Sequence, residues 1–436
     1  MTKLRRLGIV SWMLLFSPAL FCENDIYFSK IGIENGLSQL SVMTIYQDEL
    51  GSLWFGTREG VNRYNGNEVE VFQPQPNDSN SLVGSLIKNI CGDHNGHVFI
   101  HSQNGVNEYN LRTQYMQTIL RGRIDAITYG VNHLWIAENN KLFIYNRKGG
   151  KEFFTEIRQA KSPIRVILQT ADQRFIIGTG SSGVFIMDPN RQIRMVISDC
   201  SQVSDLFEDR KGNIWVGTWE KGLYKIDRVG QVVNYRAKKA KPETTVSSNF
   251  VRAICEDNRG FIWIGTKKGL DRLNVETEIF EHYNSDEYSY RQLSNESVWS
   301  LLKDSQGTIW VGTYFGGVNY FNPNIDFYTF HDLNNGVFRN KFFPIISNII
   351  EDKHQHLFLC TEGNGLIYYN PADKSYINFR TIEGNSNSLT NDNIKSVYYD
   401  ADREELWLGL HLGGICCLNL HNRHFTQYPS IHPKWE

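Results

Sequence analysis

The chain has 436 residues, 41% hydrophobic and 13% aromatic, which is enough to bury a large core and to supply more than one domain. Lys and Arg number 45 against 47 Asp and Glu, a formal net charge of −2 that leaves no electrostatic footprint for nucleic acid. The short basic segment around 238–241 reads as a solvated loop.

Residues 1–22 differ in kind from the rest of the chain. Lys3, Arg5 and Arg6 precede an apolar stretch over 7–21, interrupted by Ser11, Ser17 and Pro18. Positive then greasy, and too short for a comfortable span, it predicts a secretory signal peptide cleaved near 22–24 and a periplasmic chain. Cys22 as a lipid-bearing residue is disfavoured by the bulky Phe21 before it. Six cysteines remain, Cys91, Cys200, Cys255, Cys360, Cys416 and Cys417, without the dense spacing of a disulfide scaffold. They read as small apolar strand residues. No further apolar run reaches the ~18 residues of a transmembrane helix.

Residues 26–31 look like an outer strand with no partner ahead of it in the chain. Beyond them one pattern recurs: Asp, a Gly turn, an apolar strand with a central aromatic, Gly-Thr, a small loop, then Gly and another apolar strand. Aligned on the aromatic, the copies fall at Trp54, Phe99, Trp135, Phe175, Trp215, Trp263, Trp310, Phe358 and Trp407, at intervals of 36 to 49 residues. A strand-like period of that length predicts propeller blades, since no unit sustains apolar residues at helical spacing. In the copy around Trp263, 251–256 alternates and suits an inner strand. Asp257 and Gly260 make a tight turn in which the carboxylate caps backbone N–H groups. Residues 261–266 are nearly all apolar, as for a strand covered on both faces. Lys267, Lys268 and Gly269 turn the chain, 270–274 is a third strand, and Phe280 with Tyr283 marks a fourth. Gly265 reads as a place of close packing where the blade narrows.

The fold class expected is all-β: a seven-bladed propeller of four-stranded blades over 25–322, closed by giving 26–31 to the blade at 295–321, which removes two open sheet edges. Residues 325–436 then hold the first two blades of a second propeller, and the chain reads as truncated within it. A nine-bladed single ring is the rival.

The units resemble the two-component regulator propeller repeat. The first copy shows the likeness in Leu37-Ser38, Val42, Ile45, Asp48, Gly51, Leu53-Trp54-Phe55-Gly56-Thr57 and Gly60-Val61-Asn62-Arg63-Tyr64. The third and fourth copies depart most, with Ala137 where Gly is usual and Asp172 lacking its following Gly. The resemblance implies paired seven-bladed propellers, then a small β-sandwich, a membrane helix and a histidine kinase, often in one hybrid polypeptide. It also implies an extracytoplasmic part that senses a ligand, commonly an oligosaccharide, with a homodimer as the form of the whole receptor. A sialidase-type box fits less well, because Trp215 lies six residues after Asp209 and not five.

In four-stranded blades the loop between strands two and three shares a face with the loop leading to the next inner strand. That face collects Arg58, Glu59, Gln103, Asn104, Trp219, Glu220, Lys267, Tyr314 and Phe315, with Lys268, Glu362 and His411 at neighbouring positions. Aromatics interleaved with charges and amides suit a sugar, since ring faces stack on C–H surfaces and polar groups bond hydroxyls. Packing of Trp219, Tyr314 and Phe315 against adjacent loops is the competing account. No metal, cofactor or catalytic residue is expected: the repeated Asp is explained by turn chemistry, and His354 and His356 beside Asp352 replace turn residues. A sensory module that relays binding by changing how propellers pack is therefore expected. A secreted propeller lyase or glycosidase acting on polysaccharide is the alternative.

Overall fold

The structure, a computed structural model, describes residues 26–200, 202–238, 240–285, 292–324, 345–372 and 375–429. The leader expected at 1–22 lies outside them. Among the described residues the strands form nine antiparallel four-stranded sheets, and two compact units divide the chain near residue 328.

The first unit is a closed ring. Seven inner strands, Val42–Gln47, Ile87–Gly92, Ala126–Tyr129, Ile164–Gln169, Val203–Glu208, Val251–Glu256 and Val298–Lys303, define blades 1 to 7. Each packs against the next, and the last packs against the first. Blades 1 to 6 are meanders of consecutive strands. Blade 7 has only Val298–Lys303, Ile309–Thr313 and Val318–Phe321 in sequence, and Ser29–Ile31 supplies its outer strand, with Ser29 opposite Tyr320 and Ile31 opposite Val318. Without that strand the N–H and C=O groups of Val318–Phe321 would face solvent as an open edge. Phe28 anchors it, edge-on to Phe321 at 5.0 Å.

Two recurring devices hold the blades. The first is the aspartate of each turn. Asp48 Oδ1 accepts the N–H groups of Leu50 and Ser52 at 3.0 and 2.9 Å, while its Oδ2 accepts the indole N–H of Trp54 at 2.8 Å. The same indole bond ties Trp215 to Asp209, Trp263 to Asp257 and Trp310 to Asp304. Three donors around one buried carboxylate offset its desolvation, and the six-residue spacing follows because the ring must reach back to the turn. In blade 2 Asp93 bonds His97 Nδ1 instead. Blade 3 has no such Asp, and Trp135 Nε1 is buried without a partner.

The second device is the Gly that ends the buried second strand. A Cβ on Gly265 would stand 2.6 Å from a methyl of Val298, the first inner residue of the next blade, and one on Gly56 would stand 2.6 Å from a methyl of Ile87. The missing side chain is thus the socket for the neighbouring blade. Blades 2 and 3 differ at this seam: His101 and Ala137 occupy the corresponding positions, opposite Asn89 and Ala126.

The second unit holds two blades, with inner strands Ile345–Glu351 and Ile394–Asp400 packed together. Ser347 Oγ donates to Ile394 O at 2.6 Å across the seam. Phe358, Leu406 and Leu408 are fully buried between the sheets, whereas Ile345, Ile349 and Tyr398 are each at least 60% exposed.

Candidate functional site

One end of the ring carries the turns between second and third strands and the starts of the inner strands. A repeated backbone bond joins them: Gln103 N–H to Leu86 O, Trp219 N–H to Gln202 O, Lys267 N–H to Phe250 O and Tyr314 N–H to Ser297 O, at 2.9 to 3.1 Å. The first loop residue of a blade is thereby held beside the start of that blade's inner strand. Six of the inner strands also carry a bulge at this end, which leaves Met43, Lys88, Arg165, Ser204, Arg252 and Trp299 outside the pairing register. A bulge turns its extra side chain away from the sheet face on which its neighbours pack.

Across blades 5, 6, 7 and 1 these two sets of residues meet. Tyr314 stacks on Trp299 at 5.4 Å with planes 21° apart. The Arg58 guanidinium lies 5.3 Å from the Tyr314 ring centre and donates to its hydroxyl at 3.1 Å. Arg252 lies 4.4 Å from the Trp299 ring and 6.0 Å from that of Trp219, and Trp219 stands perpendicular to Trp299 at 6.3 Å. Phe250 adjoins Trp219 at 6.5 Å and takes the Lys267 ammonium at 5.2 Å. The result is a ladder of alternating cations and rings, each rung worth about 0.5–2 kcal/mol.

The ladder joins Arg58, Trp219, Lys267, Tyr314 and Phe315, whose ring meets Tyr314 at 4.2 Å and is 58% exposed. Tyr314 has both faces occupied, by Arg58 and Trp299, so the apolar surfaces open to a ligand are those of Phe315 and Trp219. Gln103 and Asn104 stand apart. Gln103 Oε1 accepts the Leu86 N–H at 2.7 Å and Asn104 Nδ2 donates to Val83 O at 3.2 Å, so both hold their own loop. Glu59 and Glu220 are exposed at the turns beside Arg58 and Trp219. Arg252, Trp299 and Phe250 were not legible as site residues, because they sit at or just before inner strands that read as core. A bulge leaves no mark in the sequence beyond a polar or bulky residue after the first inner Val or Ile.

Arg252 differs from the other guanidiniums around it. Nη1 donates to Ser297 Oγ at 2.6 Å and to Val298 O at 3.4 Å. Its Nε and Trp299 Nε1 are buried without a hydrogen-bond partner. Burial lowers its pKa from the usual arginine value. Deeper in the seam between blades 5 and 6, Asp205 accepts the N–H groups of Ile254 and Leu206 at 2.7 and 2.9 Å, and burial pushes its carboxyl up to about 7.

The opposite end is better satisfied. A shallow cleft of about 220 Å³ there is lined in part by His97, Glu108, Gln117 and Arg147. Glu108 is taken by Arg147 and Gln117, each at 2.7 Å, and His97 by Asp93 at 2.8 Å. In the second unit, His354 and His356 donate their backbone N–H groups to Asp352 Oδ1, and His356 Nδ1 meets Tyr368 Oη at 2.6 Å. Among the described residues no group of three metal-ligating side chains forms.

The chain matches the family model of the two component regulator propeller over residues 36–59, 198–220, 245–268 and 292–315. Those four segments carry every rung of the ladder. Histidine kinase P4 of Formosa agariphila is 37% identical over 83 residues, 18% of this chain and 6% of that protein. The extracellular domain of the putative hybrid two component system BT3049 from B. thetaiotaomicron superposes with a TM-score of 0.67 at 22% identity, covering 93% of this chain and 55% of that one. A virginiamycin B lyase from Staphylococcus aureus superposes with a TM-score of 0.54 at 12% identity over 68% of this chain and 99% of its own. The chain thus spans about half of the solved hybrid-system domain and a small part of the curated kinase.

Proposed function

Since this chain belongs to the two-component regulator propeller family, we propose that it is the ligand-sensing part of a hybrid histidine kinase system, exported to the periplasm and recognising an oligosaccharide. The observation that carries the reading is the ladder: four adjacent blades of a closed ring place rings, cations and loop carboxylates on one face. Loops on a rigid scaffold are where binding residues concentrate. Phe315 and Trp219 offer apolar surface to sugar C–H groups, and Arg58, Glu59, Glu220 and Lys267 offer hydrogen bonds to hydroxyls. Binding is relayed by repacking between this ring and a second propeller, then through a sandwich domain and membrane helix to the kinase of the whole protein, which works as a homodimer.

The test is a panel of oligosaccharides screened for a thermal shift with the whole chain, followed by calorimetry on each hit and on the Phe315→Ser and Trp219→Ala variants. A ligand held at 100 times its Kd stabilises by roughly 2.7 kcal/mol, enough for a clear shift. Expected are hits that lose at least ten-fold in affinity in both variants. Hits that survive both substitutions would move the site elsewhere. Release of new reducing ends or unsaturated products from the same panel would instead support the lyase or glycosidase alternative.

A further inference from the structure

Several guanidiniums elsewhere on the ring have acidic partners. Arg147 pairs with Glu108 at 2.7 Å, Arg174 with Asp172 at 2.7 Å and Arg210 with Glu256 at 3.4 Å, and Arg272 pairs with Glu281. Arg252 is half-buried and no carboxylate pairs with it among the described residues. Its hydrogen bonds all leave from Nη1, so the Nε–Nη2 edge, the one that grips an oxyanion with two parallel bonds, is unengaged. The buried and equally unpaired Nε1 of Trp299 lies against the same guanidinium. A desolvated cation beside two idle donors is costly unless a negative group completes it.

We propose that the loop face takes a saccharide carrying an anionic group, a carboxylate or a sulfate ester, and that Arg252 anchors that group. The proposal rests on reading this face as a saccharide site and adds the charge of the ligand. Ser297 and the Trp299 ring hold the guanidinium in one orientation, so little side-chain freedom is lost when the anion arrives. The anion seats on the Nε–Nη2 edge while the sugar body lies against Trp219 and Phe315. Bulge positions in blades 2 and 4 carry Lys88 and Arg165, and Arg58 and Lys267 flank the ladder. Asp125, Glu59, Glu220 and Glu296 are acidic groups at the same end, and Lys221 there is already paired with Asp199. The charge pair between Arg252 and an anionic ligand weakens as salt rises.

The test is isothermal titration of the whole chain with three probes of similar size: trigalacturonate, a sulfated galactose disaccharide and neutral galactotriose. At least one anionic probe should bind ten-fold or more tightly than galactotriose and lose affinity as salt rises. Which of the two binds separates carboxylate from sulfate. Arg252→Gln should remove that preference, and Arg252→Lys, which keeps the charge and loses the fork, should retain part of it. Lys151→Gln, on an outer strand of blade 3, should change nothing. If Arg252→Gln melts early, the comparison of Arg252→Lys with wild type carries the test. Galactotriose bound as tightly as either acid, or a charge preference that survives at Arg252→Gln, would overturn the anionic assignment and leave the saccharide reading standing. Binding of none of the probes would overturn both.

Discussion

Gly265 offers a clean perturbation of a blade seam. A Cβ added there would lie 2.6 Å from Val298 Cγ1 and 3.3 Å from Val298 Cβ, with Ala253 Cβ at 3.6 Å. Val298 is fully buried and has no space to retreat into. Gly265 is not among the left-handed glycines, so backbone strain adds nothing and the cost is steric. Gly265→Ala should destabilise the ring by about 1–3 kcal/mol, the ordinary range for overpacking a filled core. Val298→Ala alone should cost roughly 2 kcal/mol in lost apolar burial. The double variant should cost less than the sum, by about 1–2 kcal/mol, because the new methyl occupies what the valine vacated. Urea unfolding followed by tryptophan fluorescence gives the three values, with amide exchange of Ile262–Thr266 confirming that the transition belongs to blade 6. Additivity within about 0.5 kcal/mol would refute the socket account of the repeated Gly.

Two further predictions concern buried polar groups. Asp205 is raised in the fold to about 7, so its contribution is complete below the ordinary carboxylate range and is lost as pH rises through 7. His101 is lowered to about 4, chiefly by burial, so its contribution is complete above 6.5 and is lost as pH falls through 4. The two oppose each other between pH 4 and 7: urea midpoints should fall toward acid in Asp205→Asn and toward neutral pH in His101→Gln, each by roughly 4 kcal/mol at most, and parallel pH profiles would refute the pairing. Trp263→Phe strips a donor from buried Asp257, whereas Trp135→Phe removes an indole N–H that has no acceptor. The first should therefore cost about 1–3 kcal/mol more than the second in thermal or urea unfolding.

The repeat was legible because its signals are local. A strand such as Ile262–Thr266, apolar on both faces between a Gly turn and a Gly-Thr end, declares itself within a few residues, and nine such copies give the architecture. The second half of the aspartate's role was hidden. Capping of the turn by Asp257 can be read from the neighbouring Gly260, but the bond from Trp263 across six residues needs the strand's return path. His101 was hidden for a related reason: aligned on Phe99 it looks like an ordinary strand residue, and only the register with Asn89 shows it in the glycine socket. The loop face was legible as a face and not as a site. Tyr314 and Trp219 stood out by type, whereas Arg252 and Trp299 reach them through bulges, and a one-residue slip in pairing leaves no trace in periodicity.

Those bulges explain how one fold keeps a rigid frame and a free hand at its mouth. Five of the seven seams of the ring are set by a Val or Ile of the next blade entering a glycine socket, at Gly56, Gly178, Gly217, Gly265 and Gly312, and such packing does not deform gradually. The bulged residue is outside the register, and Met43, Lys88, Arg165, Ser204, Arg252 and Trp299 differ in size and charge while the residue before each is always Val or Ile; Lys88, Ser204 and Arg252 nevertheless donate to carbonyls of the next blade, Ile124 O, Val251 O and Val298 O. Under the proposed sensor reading, a ligand spanning Trp219 to Phe315 would cross the seams between blades 5 and 6 and between 6 and 7, both of which are packed on a glycine socket. On that reading its binding energy would go into the loop face and not into reshaping the ring.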